Sequence, residues 1–115
     1  MPPTRLITVV ETAPYLAMVG EAMGEAERMD LVNRIAADPS AGDLMPDTGG
    51  LRKLRVALPG RGRRGGGRVI TYFHDLDMPV FLLAFYPKSK QDDLDPRQRR
   101  TAKALTDAIR EQYGR

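Results

Sequence analysis

The amino-acid sequence predicts an α+β fold: a small, mostly antiparallel sheet of about four strands packed on an N-terminal helical hairpin and a C-terminal helix, ordered β-α-α-β-β-β-α. Three observations predict it. Helix-period apolar spacing occurs twice before Asp38 and once after Asp95. Between them, Leu51 to Tyr86 contains alternating or β-branched runs broken by glycine-rich and aspartate-rich turns. At 115 residues, 42% hydrophobic and 29% charged, the chain 1–115 reads as one domain with a modest core and no internal repeat.

Arg5 to Val10, apolar and β-branched, is the expected first strand. Thr12 is an N-cap and Pro14 lies in the first turn of a helix running to about Met23, which Gly20 and Gly24 weaken. A second helix, Glu25 to Ala37, begins with acids and buries a stripe of Leu31, Val32, Ile35 and Ala36 before Asp38 and Pro39 stop it. Asp38 to Gly50 is dense in turn residues and reads as a loop. In the strand that follows, parity puts Leu54, Val56 and Leu58 with Arg52 on one face, and Lys53 and Arg55 on the other. Arg68 to His74 forms the third strand and Asp75 to Pro79 a turn. Val80 to Tyr86, apolar on both faces, is an interior strand. Asp95 caps and Pro96 opens a last helix to about Gln112, with Ala102, Leu105 and Ile109 as its apolar stripe.

Charge is distributed unevenly. The net +3 conceals an acidic first half and a basic centre, in which Arg52, Lys53, Arg55, Arg61, Arg63, Arg64 and Arg68 occur between Leu51 and Tyr72 without an Asp or Glu. Such crowding is costly for the fold and points to an anionic partner. Tyr72 and Tyr86 lie in the adjoining strands, and cations beside aromatic rings are the equipment for single-stranded RNA. If all seven cations met phosphates of one strand, the log-log salt slope of binding would approach about −5. The absence of cysteine excludes disulfides and thiolate chemistry, and the longest apolar run is far short of a bilayer span. The first residues, MPPTRLITVV, lack a signal peptide's apolar segment, so the cytoplasm is the expected location and no membrane partner is expected.

Other motifs have plainer explanations. Gly60, Gly62 and Gly65 fit a dinucleotide fingerprint, but a strand follows where that fingerprint needs a helix. His74 is the sole histidine and has no second soft ligand for a metal; at a strand end beside Asp75 it reads as a surface or capping residue. Asp92, Asp93 and Asp95 precede a helix, where dipole complementation explains them better than Mg²⁺. Neither a metal nor a cofactor is expected.

The run GGLRKLR, the segment GRGRRGGGRVITY, the strand LLAFYPK and the DDL before the last helix together resemble the RelE/HigB group of type II toxins, over Leu6 to Ile109. The resemblance implies the RelE-like fold and an endoribonuclease, an mRNA interferase that cuts mRNA on the ribosome and is neutralised by a cognate antitoxin encoded nearby, of the helix-turn-helix, HigA-like kind. Relatives with this fold that act on DNA gyrase leave that target as an alternative. A non-catalytic RNA- or ribosome-binding protein is another.

Carried over by the resemblance, Lys53, Arg55, Arg68 and Lys88 are the catalytic set, with Arg52, Arg61, Arg63, Arg64, Tyr72, Tyr86 and Lys90 as RNA contacts. Lys88 and Lys90 both fit the basic position after the fourth strand. Thr71 stands where close members have the first tyrosine of a pair, and Tyr113 lies beyond the usual C-terminal tyrosine. The implied chemistry is metal-independent attack of a 2′-hydroxyl on the adjacent phosphate, leaving a 2′,3′-cyclic phosphate and a 5′-hydroxyl. Lys53 is the candidate base. A lysine titrating at about 10.4 needs a drop of about three units, roughly 4 kcal/mol, which like charges at Arg55 and Arg68 would supply.

Overall fold

The computed structural model describes residues 6–58 and 66–115. The elements run β1 (Val9–Glu11), α1 (Ala13–Val19), α2 (Glu25–Ala37), β2 (Asp43–Leu44), β3 (Leu51–Val56), β4 (Gly67–Tyr72), β5 (Val80–Pro87) and α3 (Pro96–Gln112). The α+β class holds, with a five-stranded mixed sheet ordered β1-β5-β4-β3-β2. β1 runs parallel to β5 and the other pairings are antiparallel. Among the described residues no helix is long and apolar enough to cross a membrane.

Three expectations need correction. The first strand, expected over Arg5 to Val10, begins among the described residues only at Val9 and runs to Glu11, where Val9 pairs with Val80 and Glu11 with Leu82; Arg5 lies outside the described residues. The first helix stops at Val19 instead of about Met23, because Gly20 takes φ 51° and its N–H closes on the Leu16 carbonyl. The Asp38 to Gly50 loop contains a two-residue strand, in which Asp43 pairs with Lys53 and Leu44 with Arg52, so β3 is not an edge at those residues.

The two helical layers cover opposite faces of the sheet. Tyr15 and Val19 of α1 and Leu31 and Ile35 of α2 pack with Leu54, Val56, Val69 and Leu82, as the amphipathic stripes dictate. Ala102 and Ile109 of α3 pack with Leu51, Ile70, Tyr72 and Leu83 on the other side. Thr12 joins strand to helix: its Oγ1 donates to the Leu82 carbonyl at 2.7 Å and accepts the Tyr15 N–H at 3.3 Å. Arg28 and Glu11 tie α2 to β1 at 2.9 Å. Burial, with Glu11 adding and Arg28 opposing, pushes the Tyr15 phenol up to about 12.

A bulge in β5 decides which residues share the α3 face. Thr71 pairs with Leu82 but Ile70 with Ala84, leaving Leu83 as an extra residue. Leu83 and Ala84 consequently turn to the same side, and Phe81 and Tyr86, five positions apart, both join the α3-side cluster.

Candidate nucleic-acid interface

In β3 and β4, Leu51 pairs with Tyr72, Lys53 with Ile70 and Arg55 with Arg68, and residues opposed in an antiparallel ladder share a face. Ile70 and Tyr72 belong to the α3 side, so Lys53, Arg55 and Arg68 face that side as well. α3 covers only part of it. Just before the helix, Asp93 reaches Lys53; just after it, the Tyr113 ring meets Phe81 edge-on at 6.1 Å. The row formed by Arg55 and Arg68 therefore lies beyond the N-terminal end of α3, with Arg55 exposed and Arg68 half-buried.

Directly opposed Cβ atoms sit about 5 Å apart, where like charges repel. Among the described residues neither guanidinium has a carboxylate partner: Arg68 Nη1 donates to the Gly67 carbonyl at 3.1 Å, and Arg55 is joined only through its own carbonyl, which accepts from Arg34. The two arginines thus share a face of the sheet without a carboxylate partner among the described residues.

Lys53 has a different environment from the one expected. Its Nζ donates to Asp93 Oδ1 at 3.2 Å, and Arg99 of α3 holds the other Asp93 oxygen, so an acid of the same molecule offsets the crowding of cations. Burial raises the Asp93 pKa, but the Leu94 N–H, Lys53 and Arg99 outweigh it and hold the carboxyl below its ordinary value. Lys88, in the turn after β5, pairs with Asp92 at 3.0 Å. The Asp92 side chain is 94% exposed, so this pair is weak and easily opened. Lys90 lines a shallow groove with Met18, Ala22 and Gln98, between α1 and the start of α3.

Three expected RNA contacts take other places. Arg52 faces the helical hairpin, where its Nη1 donates to the carbonyls of Ser40 at 3.1 Å and Gly42 at 3.4 Å. Tyr72 and Tyr86 are each 1% exposed, so neither ring offers a surface for a base. Tyr86 instead supports the loop before α3 from below, its hydroxyl donating to the Asp92 carbonyl at 3.2 Å. Arg61, Arg63 and Arg64 lie outside the described residues. β4 ends at Tyr72, short of the expected His74, which lies two residues beyond it, 2.9 Å from Asp75, which Arg115 also clamps.

Asp93 and Arg99 were not among the residues expected at the site. A signal for Asp93 was present: Asp95 is the N-cap, completing a capping box with Gln98, so the earlier acid was free for another partner. Nothing in the sequence distinguishes Arg99 from Arg97 or Arg100; only the seating of α3 selects it.

Similarity to known proteins bears on the fold and the family. The fold matches a structure of the E. coli toxin RelE, a double arginine-to-alanine mutant in the free state, with a TM-score of 0.53, 13% identity, and coverage of 76% of this chain and 88% of that chain. At that identity the likeness shows the fold alone. Residues 21–113 match the family described as the RelE toxin of the RelE / RelB toxin-antitoxin system. With most of its length in that match, the chain belongs to the RelE family of toxins of toxin-antitoxin systems.

Proposed function

We propose that this toxin is a ribosome-dependent endoribonuclease that inhibits translation by cutting mRNA in the cytoplasm, with an antitoxin of the helix-turn-helix, HigA-like kind as its neutralising partner. The observation that carries the proposal is the Arg55 and Arg68 pair, two cations opposed across β3 and β4 with no carboxylate between them among the described residues. A phosphorane bearing extra negative charge relieves that repulsion more than a ground-state phosphate does, which is the differential stabilisation that catalysis needs. Lys53 is the candidate proton acceptor for the 2′-hydroxyl once it leaves Asp93, and Lys88 the donor to the departing 5′-oxygen once it leaves Asp92. Both amines are engaged by acids in the free protein, so free RNA is expected to be cut slowly and ribosome-bound message faster, because the ribosome fixes the strand's geometry.

End mapping on ribosome-bound mRNA tests this. Fragments with 2′,3′-cyclic phosphate and 5′-hydroxyl termini are the expected result, and an intact, stalled message refutes cleavage. That second outcome favours a non-catalytic binder, a role consistent with Lys53 being held by Asp93. Inhibition of supercoiling with no effect on mRNA would instead point to gyrase. Lys53→Arg keeps the charge but not the amine, and cleavage near the original rate in this variant would remove Lys53 as the base.

A further inference from the structure

Asp93 stands among the cations in an arrangement that a phosphate would reproduce. One of its oxygens accepts from Lys53 of β3 at 3.2 Å and from the Leu94 N–H at 2.8 Å, while the other accepts from Arg99 in the first turn of α3. Two oxygens of one anion thus join cations from two separate elements, the geometry in which Lys and Arg hold a phosphate. Beyond the carboxylate's bond from the Leu94 N–H, other contacts also hold the loop. Gln91 Nε2 donates to the Asp93 carbonyl at 2.8 Å and to Gln98 at 2.6 Å, Tyr86 holds the Asp92 carbonyl, and Asp95 and Gln98 close the capping box. One carboxylate oxygen of Asp93 therefore holds backbone, while the other meets only Arg99 among the described residues.

The contacts are also breakable. The side chains of Lys53, Asp93 and Arg99 are 29%, 44% and 50% exposed, and ion pairs so open to water contribute little. With the nuclease reading as the basis for the ligand's identity, we propose that Asp93 is a built-in occupant of the phosphate site and that Arg99 is a further phosphate-binding residue. An incoming phosphate takes the Arg99 contact and releases Lys53 from Asp93, and the displaced carboxylate then repels it. Weakly presented phosphates, those of free RNA, lose this competition. A phosphate fixed in place by another particle wins it, so Asp93 favours strand delivered by the ribosome over strand met in solution.

Titration with inorganic phosphate, followed by NMR of the Arg99 Nε–H and the Asp93 side-chain carboxyl, tests the exchange without requiring RNA cleavage. Both signals are expected to move saturably. Asp93→Asn, which keeps the acceptor for the Leu94 N–H, is expected to bind phosphate up to about fivefold tighter, and Arg99→Gln to bind it weaker by a similar factor. A short single-stranded oligonucleotide is expected to follow the same order. Unchanged or weaker phosphate binding by a folded Asp93→Asn overturns the proposal. So does an Arg99 signal that stays still while those of Arg55 and Arg68 move. If Asp93→Asn fails to fold, Arg99→Gln decides, and unaltered phosphate affinity there is likewise refuting. Correct phosphate behaviour in a protein that never cuts ribosomal mRNA would reject the nuclease and retain the anion site, whereas cutting with phosphate-insensitive Asp93 and Arg99 would do the reverse.

Discussion

Tyr72 and Tyr86 give opposite predictions from the same chemical change. Both are 1% exposed and both pack on the α3 side, but the Tyr86 hydroxyl donates to the Asp92 carbonyl at 3.2 Å, and the Tyr72 hydroxyl has no partner among the described residues. Replacing each by Phe removes one oxygen and keeps the ring. At Tyr86 the loss is one hydrogen bond and leaves a carbonyl less well satisfied, a destabilisation of about 1 kcal/mol. At Tyr72 the change removes a buried hydroxyl that is dehydrated without compensation, which stabilises by about 1 kcal/mol. Unfolding entropy of about 2.1 cal/mol/K per residue over 115 residues converts each kcal/mol into about 4 °C, so the two variants should differ in Tm by about 8 °C. Urea unfolding at fixed m-value, alongside thermal melts, measures the difference. Destabilisation of similar size in both would show that the Tyr72 hydroxyl is bonded and that α3 does not seal it from hydrogen-bonding groups. Neither substitution should remove a stacking platform, since neither ring reaches the surface.

Three further outcomes are expected. Neutralising Arg55 and Arg68 together to Gln should make the salt slope of oligonucleotide binding shallower by about 1.4, at about 0.7 per lost phosphate contact on a single strand, measured by anisotropy across a salt series; an unchanged slope would place the RNA elsewhere. Gly67→Ala should destabilise by about 1–3 kcal/mol in urea, because its methyl would lie 2.7 Å from Phe85 Cε2 and 3.2 Å from the Tyr86 carbonyl oxygen in a closed core; full stability would mean that this corner of the sheet gives way freely. Asp75 is held far below its ordinary 3.8 by hydrogen bonds from Arg115, then His74 and the Asp77 N–H. A folded value below the unfolded one gives stability that is complete above the unfolded value and is lost as pH falls through the folded value. Thermal melts below about pH 4 should therefore decline more gently for Asp75→Asn than for the parent, and identical acid limbs would contradict the clamp.

The parts that local chemistry governs were legible in the sequence. The bounds of α2 and α3 follow from acids at one start, a capping Asp95 with Pro96 at the other, and Asp38 or the tail at their ends. Strand parity correctly separated Leu54 and Val56 from Lys53 and Arg55, since alternation is a property of the chain itself. The two-residue β2 was not legible, because a strand that short has no period to detect and exists only by pairing with β3. The burial of Tyr72 and Tyr86 was not legible for a related reason: strand position places a ring on a sheet but does not tell whether other elements cover it.

By itself the sequence determined an α+β chain with a cation-rich β3 and β4, a capped terminal helix and a resemblance strong enough to indicate its family. Tertiary structure decided what each charge does. Arg52 was turned to the loop between α2 and β2, Lys53 was given to Asp93, Arg99 was brought in from a helix of similar arginines, and Arg55 and Arg68 were left on one face. The physical reason is range: turn, cap and alternation preferences act within a few residues of the chain, whereas a charge interacts with whatever packing places within several ångströms of it.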